Sequence, residues 1–514
     1  MIRRCNEESG RSDGSVQLKP GRRILGCLIF LSVVHANAQT NKDMADKAAM
    51  RPVDEFIQSE MATGKIPALA VSVYRNGRII YEAGYGVADR ENHVAATPNT
   101  PFYLASVTKA LTGTALVLLE AQHKIAMNRP VNEYLKGAKL HSPVWDTSGA
   151  TVLKVASHTS GLTTYNRKCA VKDRACKVST DTAISRYGVL FWPAGDHFDY
   201  SNIGYGVLGK LIGDVSGIPF DQFLEREIFH PLGMANCYLP LTGELRSASA
   251  VNYDQTTGQL SNIEVSDTPG ASSARCSSHD LAKLGAFALK QPLLDQRDIL
   301  SPTQLDELLY SDSASAGEHY SFGWDRNQID GYSGLFAQGG TSDSFALLQL
   351  VPSEHIAVAI VANTGTTLPF EIANRIVARL LPVLPSKKID SSAPATPVAS
   401  ALEGQWTGQI KPWSQNIPVS ITISSSHEAL AKMGADSATN ASCEKVELSA
   451  SRFYCVAHGS LGTPDGPKSP YPIEVELYLR QGRLMGAATT GGGVQLPSWI
   501  ELSREAPKTT VSAQ

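Results

Sequence analysis

The residues most able to do chemistry are a serine and a lysine three positions apart. Ser106 and Lys109 open a stretch whose apolar residues recur at helical spacing until about Ala121. Residues three apart share one face of a helix, so the Lys109 amine can lie against the Ser106 hydroxyl. Next to a buried lysine of lowered pKa, a serine can lose its proton as it attacks a carbonyl. We therefore predict Ser106 as a nucleophile and Lys109 as its partner.

Two motifs of similar appearance are set aside because of where they lie. Ser442 and Lys445 repeat the Ser-x-x-Lys spacing, but strand-like alternation there would point them to opposite faces. The esterase motif Gly-x-Ser-x-Gly occurs at residues 10–14, ahead of a predicted signal peptide, and is not expected in the mature protein. A hydrolase built on that motif is therefore disfavoured.

A tyrosine and an asparagine form the second candidate element. Tyr200 and Asn202 stand between a Pro-Ala-Gly loop and an apolar segment of helical spacing. A tyrosinate or a hydrogen-bonded Tyr200 can serve as general base if cations such as Lys109 lower its pKa. Asn202 can hold the lysine and a substrate carbonyl.

The third element is the segment Gln338-Gly339-Gly340-Thr341, just before a predicted strand from Ser344. Glycines on an edge strand let a substrate backbone approach closely. The Thr341 N–H can be one oxyanion donor, and the Ser106 N–H, at the start of its helix, can be the other. Taken alone, the segment is better explained as a plain glycine turn.

These three elements, in this order, resemble the serine β-lactamase and penicillin-recognising superfamily. The similarity is to its class C-like branch, with the family VIII esterases and D-stereospecific peptidases, and covers about residues 50–383. Further segments that resemble this family are Pro101–Lys109, Ser157–Leu162, Tyr200–Tyr205, Pro231–Met234 and Asp280–Lys283.

The resemblance implies an α/β (α+β) β-lactamase-like fold, an antiparallel sheet flanked by helices with a helical insertion. It implies an acyl-enzyme on Ser106, with Lys109 and Tyr200 moving the proton and water completing hydrolysis. No metal or organic cofactor is implied. The remaining roles that the resemblance implies are substrate orientation by Asn202, Gln338, Gly339 and Gly340, and an oxyanion hole from the N–H groups of Ser106 and Thr341.

Gln338 departs from the family pattern, in which this position is the lysine of Lys-Thr-Gly or the histidine of His-x-Gly. The basic residue is expected to bind the carboxylate of β-lactams and of peptides that end in D-Ala. Its loss removes a charge-assisted hydrogen bond worth about 1.5–3 kcal/mol, unless Arg275 compensates. We therefore expect an ester or a small uncharged amide as the substrate.

Three alternatives stay open: a class C-like β-lactamase, a D-Ala-D-Ala carboxypeptidase or D-aminopeptidase, and a non-catalytic protein that binds cell-wall fragments. The intact Ser106, Lys109 and Tyr200 argue against the non-catalytic alternative, which would not require all three.

Several other residues near these motifs have simpler explanations. His158 is predicted to be a structural hydrogen-bonding residue, and His197 and Asp199 to be loop residues beside Tyr200. Trp192 and Trp324 either line the substrate cleft or pack in the interior.

Composition excludes several classes of protein. Hydrophobic residues make up 42% and charged residues 18%, as in a chain that folds around a core. The net charge is −3 and no long basic block occurs, so a nucleic-acid partner is not expected. No apolar run reaches the roughly 20 residues of a membrane span. A small-molecule ester, amide or β-lactam is the expected partner.

The start of the chain predicts export. Arg22 and Arg23 precede an apolar stretch, residues 24–34, and then Ala36-Asn37-Ala38, a pattern typical of a signal peptide cut after Ala38. Two of the eight cysteines, Cys5 and Cys27, would be removed with the signal peptide. In a periplasmic or secreted protein the other six would be in an oxidising compartment. Their spacing favours three disulfides, Cys169–Cys176, Cys443–Cys455 and, by remainder, Cys237–Cys276.

Four regions are predicted along the chain: a signal peptide at 1–38, the hydrolase domain at 39–383, a Pro- and Ser-rich linker at 384–400, and a small antiparallel β domain, barrel or sandwich, at 401–507. In the hydrolase domain, a hairpin from Ala68 to Gly86 around Asn76-Gly77 and the strands Ser344–Val351 and Ile356–Ala362 are expected to share one sheet.

Overall fold

The larger domain is built on an antiparallel sheet that joins both ends of its sequence. The computed structural model describes residues 46, 48–171, 173, 176–262, 264–311, 320–384, 400–424, 428–433, 440–468 and 470–505. The strands of the sheet are β1 (Ala68–Arg75), β2 (Arg78–Asp89), β3 (Val94–Ala95), β8 (Tyr320–Ser321), β9 (Trp324–Ile329), β10 (Tyr332–Thr341), β11 (Ser344–Val351) and β12 (Ile356–Ala362). Their order is β3-β2-β1-β12-β11-β10-β9-β8.

The predicted hairpin and the late strands meet in this sheet as expected. Asn76 and Gly77 both have positive φ, 49° and 83°, which is the turn that Asn-Gly favours between twisted strands. β1 pairs with β2 on one side and with β12 on the other. β12 is buried along its whole length, which explains its uninterrupted run of apolar residues.

Helices and short strands surround the sheet, and most of them lie between β2 and β8 in the sequence. Helix α1 includes residues 52–62. The other helices are α2 (Thr108–Ala121), α3 (Val152–Ala156), α4 (Thr180–Tyr187), α5 (Asn202–Ser216), α6 (Phe220–Leu224), α7 (Pro269–Ser272), α8 (Ser278–Ala288), α9 (Pro302–Tyr310) and α10 (Leu368–Leu380). Two small pairs of strands join loops, β4 (Phe102–Tyr103) with β7 (Arg275–Cys276) and β5 (Lys168–Ala170) with β6 (Glu264–Ser266). The result is the expected antiparallel sheet with helices.

A second sheet, of nine strands, forms the small C-terminal β domain with a hydrophobic core of its own. Its strands are β13 (Gly404–Lys411), β14 (Ile417–Ile423), β15 (Ala429–Met433), β16 (Asn440–Ser442), β17 (Glu444–Leu448), β18 (Arg452–Gly459), β19 (Tyr471–Arg480), β20 (Arg483–Thr490) and β21 (Pro497–Arg504). Their order is β16-β15-β14-β13-β21-β20-β19-β18-β17, and β16 approaches β18, so the sheet nearly closes into a barrel.

Within the described residues there are three disulfides, and they are the pairs that the spacing favours: Cys169–Cys176, Cys237–Cys276 and Cys443–Cys455. The predicted signal peptide, residues 1–38, and most of the predicted linker lie outside the described residues. Among the helices that the structure describes, none is long and apolar enough to cross a membrane.

Candidate active site

Ser106 lies in a tight turn that leads directly into α2. A 3-10 turn covers Ala105–Val107, and Ala105 has a positive φ of 44°, a conformation that residues other than glycine seldom adopt. The Thr108 hydroxyl donates to the Ala105 carbonyl at 2.7 Å and accepts the Ala274 N–H at 3.0 Å. Strain of this kind is typical of functional sites, where the surrounding structure holds it.

The Lys109 amine lies against the Ser106 hydroxyl, as the spacing predicts. Its Nζ is 2.9 Å from Ser106 Oγ, 2.7 Å from Asn202 Oδ1 and 3.2 Å from the carbonyl oxygen of Ala271. The lysine side chain is fully buried, and burial lowers the pKa of its ammonium well below the ordinary value. A neutral amine, able to accept a proton, is therefore accessible at this position.

The three oxygen atoms around Lys109 fit both protonation states of the amine. A neutral amine has two N–H donors and one lone pair, and an ammonium has three donors. In the neutral state the amine donates to Asn202 and Ala271 and accepts the Ser106 O–H. After proton transfer the ammonium donates to all three oxygens, so the proton can move without rearrangement of the site.

Tyr200 lies beside Ser106, and burial shifts its pKa upward, against the lowering that a tyrosinate base would need. Its hydroxyl is hydrogen-bonded to Ser106, and Lys109 Nζ lies 4.7 Å from the centre of its ring. Burial raises the pKa of Tyr200 to about 12, and the Ser106 hydrogen bond only partly opposes that rise. The condition for a tyrosinate base, a pKa lowered by Lys109, is therefore not met in this site, and the neutral phenol is favoured.

Asn202 is fixed at both ends of its amide. Its Oδ1 accepts from Lys109, and its Nδ2 donates to the Tyr165 carbonyl at 2.9 Å. Helix α5 begins at Asn202, after Ser201, whose hydroxyl accepts the Gly204 N–H at the helix start. The amide therefore orients the lysine, and the Tyr165 carbonyl orients the amide.

Strand β10 forms the opposite wall of the site. A Cβ on Gly339 would lie 2.4 Å from the Ser106 N atom and 2.3 Å from the Leu104 carbonyl oxygen, so only glycine fits there. A cavity of about 220 Å³ separates the strand from the tyrosines. It is lined by Ser106, Tyr200, Tyr320, Gly323, Asp325, Gln338, Gly339 and Gly340.

Thr341 lies one residue beyond this wall. It pairs with Ser344 across a two-residue turn, and such a closing pair exchanges both of its backbone hydrogen bonds. The Thr341 N–H is then directed at β11, whereas the next residue along, Gly340, directs its N–H away from β11 towards the cavity side of the strand. The pairing therefore favours Gly340 as the donor from this strand.

Some residues that line or support the site carried no signal in the sequence. Tyr320, Gly323 and Asp325 lie on β8, β9 and the turn between them, far from every motif. The carbonyl groups of Tyr165 and Ala271 belong to the backbone, so no residue type marks them. To find Tyr320, Gly323 and Asp325 from the sequence, one would have had to predict that the β8–β9 hairpin lies next to β10.

His158, His197 and Asp199, which lie in or next to the motif segments of the sequence, have mainly structural contacts. His158 accepts the Ser201 N–H at Nδ1, 3.0 Å away, and its ring packs against Tyr200 and Tyr320. Burial, and then the Lys109 charge, lower the pKa of His158 well below its ordinary value, so the ring is neutral. Neither His197 nor Asp199 is among the residues that line the cavity.

Trp192, Trp324 and Arg275 are not among the residues that line the Ser106 cavity. Trp192 and Trp324 are both buried, each about 1% exposed. Arg275 is also buried, donates from Nη1 to the Ala250 carbonyl at 2.7 Å, and lines a separate cavity. Arg275 therefore does not replace the missing cation beside Gln338.

Comparisons with known proteins agree with this geometry. The family model described as Beta-lactamase matches residues 53–381. Protein flp of Staphylococcus aureus (strain N315) is 25% identical over 329 residues, which are 62% of this chain and 64% of that protein. The putative penicillin-binding protein PbpX of Bacillus subtilis (strain 168) is 27% identical over 254 residues, 45% of this chain and 62% of that protein. The chain thus spans less than two thirds of the length of either relative.

Solved structures share the fold. A class C beta-lactamase superposes with a TM-score of 0.55 at 20% identity, covering 66% of this chain and 98% of that one. The octameric penicillin-binding protein homologue from Pyrococcus abyssi superposes with a TM-score of 0.56 at 19% identity, covering 88% and 100%. The family model covers residues 53–381, which is more than half of the sequence, and the antiparallel sheet with its helices is the fold that these solved structures share. The chain therefore belongs to the beta-lactamase family.

Proposed function

We propose that this protein is an exported serine hydrolase that forms an acyl-enzyme on Ser106 and hydrolyses an ester or a small amide. The observation that carries the proposal is the buried Lys109 amine, within hydrogen-bond distance of both Ser106 Oγ and Asn202 Oδ1. An amine of lowered pKa beside a hydroxyl is a base that activates a nucleophile.

Acylation begins with transfer of the Ser106 proton to Lys109. Ser106 Oγ attacks the substrate carbonyl carbon, and the carbonyl oxygen becomes an oxyanion. We assign its stabilisation to two backbone donors, the N–H of Ser106 and an N–H from β10. For the second donor, the strand pairing favours Gly340 over Thr341.

Tyr200 is suited to the opposite proton transfer. A neutral phenol hydrogen-bonded to Ser106 can give its proton to the leaving group and recover one from Lys109. The leaving group departs as an alcohol or amine and leaves the acyl group on Ser106. Water then attacks the ester, its proton passes to the Tyr200–Lys109 pair, and Ser106 departs with a proton.

The wall of the cavity favours substrates that have no carboxylate beside the scissile bond. Gln338 is exposed there and offers a neutral amide in place of an ammonium or imidazolium. A substrate carboxylate would lose about 1.5–3 kcal/mol of charge-assisted hydrogen bonding at this position. An uncharged ester or amide has no such requirement.

Export is supported by the disulfides. Six cysteines form three pairs, which persist in oxidising compartments and are rare in the cytosol. A periplasmic or secreted location fits these pairs and the predicted leader.

The test compares initial rates on p-nitrophenyl butyrate and on a chromogenic cephalosporin, for the mature protein and its Ser106→Ala variant. We expect ester turnover that the variant abolishes, with little cephalosporin turnover. Fast cephalosporin turnover would instead make the protein a β-lactamase and remove the weight placed on Gln338. Equal rates for variant and wild type would show that Ser106 is not the nucleophile.

A further inference from the structure

The C-terminal β domain packs against the loop that leads into Tyr200. Trp192 in this loop belongs to a buried cluster with Met485, Ala487 and Trp499 of the β domain. Its indole N–H donates to Asp199 Oδ2 at 3.0 Å, and its ring meets Tyr478 edge-on, 5.0 Å between centres. The residue just before Tyr200 is therefore held by a side chain that the β domain covers.

Charged and aromatic contacts continue this interface along the same loop. Arg480 forms an ion pair with Asp196 at 2.5 Å, and both groups are about three-quarters buried. The His197 ring stacks on Tyr478 with 5.5 Å between centres. Both contacts join β19 to the loop.

A second contact comes from the segment between β20 and β21. Gln495 and Asn166 exchange both backbone hydrogen bonds, at 2.8 and 2.9 Å, as in an antiparallel strand pair. The Asn166 side chain donates to the Gly493 carbonyl at 3.3 Å. Leu496, 1% exposed, is buried in the core of the larger domain and not in that of the β domain. The segment 493–496 is thus built into the larger domain.

The chain of contacts from this segment ends at the nucleophile. Asn166 follows Tyr165, whose carbonyl accepts the Asn202 amide at 2.9 Å. Asn202 in turn accepts from Lys109, and Lys109 lies against Ser106. Tyr165 has a second fixed point, since its hydroxyl donates to Asp267 Oδ2 at 2.6 Å.

We propose that the C-terminal β domain is a positioning part of the active site, acting through the backbone pair of Gln495 and Asn166. The pair fixes the Tyr165 carbonyl, the carbonyl fixes the Asn202 amide, and the amide holds Lys109 in a dry, proton-accepting state. This inference rests on the proposed function, because it assigns to the β domain a part in orienting Lys109, the proposed base.

The proposal has a consequence for pH dependence. If the Tyr165 carbonyl shifts, the Asn202 amide loses its orientation and water reaches the Lys109 amine. Hydration favours the ammonium, so the lowered pKa of Lys109 rises towards its ordinary value. Less neutral amine is then present at neutral pH, and the rise of activity with pH moves to higher pH.

The experiment measures the rate at which a fluorophosphonate labels Ser106 as a function of pH. Gln495→Pro removes the Gln495 N–H and with it one bond of the pair. We expect labelling at pH 7 to slow by about ten- to a hundred-fold, the effect of a small misplacement of a catalytic group, and its rise with pH to shift upward. The double variant N166A/Q495A keeps both backbone bonds and loses only the side-chain contacts, so it should label like wild type.

Ile421→Ala is the matched control, since Ile421 is buried in the core of the β domain and away from the interface. It should lower the melting temperature without changing the labelling rate of the folded protein. Near-ultraviolet circular dichroism confirms folding, and if Gln495→Pro does not fold, Asn166→Pro, which removes the other bond of the pair, decides. A folded proline variant that labels like wild type at every pH would overturn the inference. A wild type that is not labelled would overturn the proposed function itself.

Discussion

At Lys109 the burial of a single amine determines the direction of proton transfer. The side chain is fully buried, and its three neighbours are a hydroxyl, an amide oxygen and a carbonyl oxygen, none of which carries a charge. None of these three neighbours carries a negative charge that would stabilise an ammonium, as a carboxylate would, so the neutral amine is favoured. Tyr200, whose pKa is raised to about 12, is the poorer base and the better acid.

This assignment predicts the pH profile of the nucleophile. Labelling of Ser106 by a fluorophosphonate should rise with pH and level off well below pH 10.5, the ordinary pKa of a lysine, because the neutral form of Lys109 is the reactive one. Tyr200→Phe should keep the midpoint of that rise. A midpoint that disappears in Tyr200→Phe would show that the tyrosine, and not the lysine, is the base.

The acid role of Tyr200 makes a separate prediction about leaving groups. An alkoxide must be protonated as it leaves, whereas p-nitrophenolate is stable without a proton. Tyr200→Phe should therefore reduce turnover of ethyl butyrate by about 10²- to 10⁴-fold, the usual effect of a general acid, and turnover of p-nitrophenyl butyrate far less. Equal losses on both esters, measured as kcat/KM, would contradict this role.

From side-chain types, the sequence predicted the residues that the structure brings together around Ser106, whereas backbone groups could not be predicted in that way. Ser106, Lys109, Tyr200 and Asn202 lie together because helical spacing joins the first two and a loop-to-helix junction presents the others. The raised pKa of Tyr200 depends on its burial in the folded protein, which no local pattern reports.

At the scale of elements, the active site depends on close packing of β10 against the turn that carries Ser106. Gly339 leaves no room for a Cβ, since the nearest atoms belong to the backbone and cannot turn aside. The sequence marked this strand only by its pair of glycines. Which glycine faces Ser106 follows from the β10–β11 register, and a shift by one residue would exchange their roles.

Gly339→Ala should therefore separate the strand from the nucleophile. The added methyl group forces Ser106 or β10 to move by several tenths of an ångström or more, which we expect to reduce kcat/KM by about a hundred-fold. Gly213→Ala in α5 is the control, because its Cβ would meet no atom closer than 3.5 Å, and activity should not change. Full activity in Gly339→Ala would mean that this wall does not contact the reacting atoms.

At the scale of the whole molecule, two cores are joined by a third cluster of buried side chains. The alternation of apolar residues and the Pro- and Ser-rich linker were enough to predict a separate β domain. They could not predict its docking, because the residues that meet are scattered along the chain, among them Trp192 in a loop and Trp499 in β21, with no repeating pattern. A linker in sequence therefore did not imply independent domains.

The stability of this junction can be tested at Trp499, which is 2% exposed and whose indole N–H has no hydrogen-bond partner within the part of the chain that the structure describes. Trp499→Ala removes the largest β-domain side chain of the cluster and should cost about 3–5 kcal/mol in the free energy of unfolding. This free energy belongs to the contact between the two domains. The single calorimetric transition that we expect of the wild type should therefore broaden or divide into two in Trp499→Ala. Trp499→Phe keeps an aromatic ring and removes the unpaired N–H with only part of the indole, so the loss of stability should be smaller and one transition should remain. If Trp499→Ala unfolds in the same single transition as wild type, the two domains are not held together by this cluster, and the positioning contacts at Gln495 would have to maintain the interface without it.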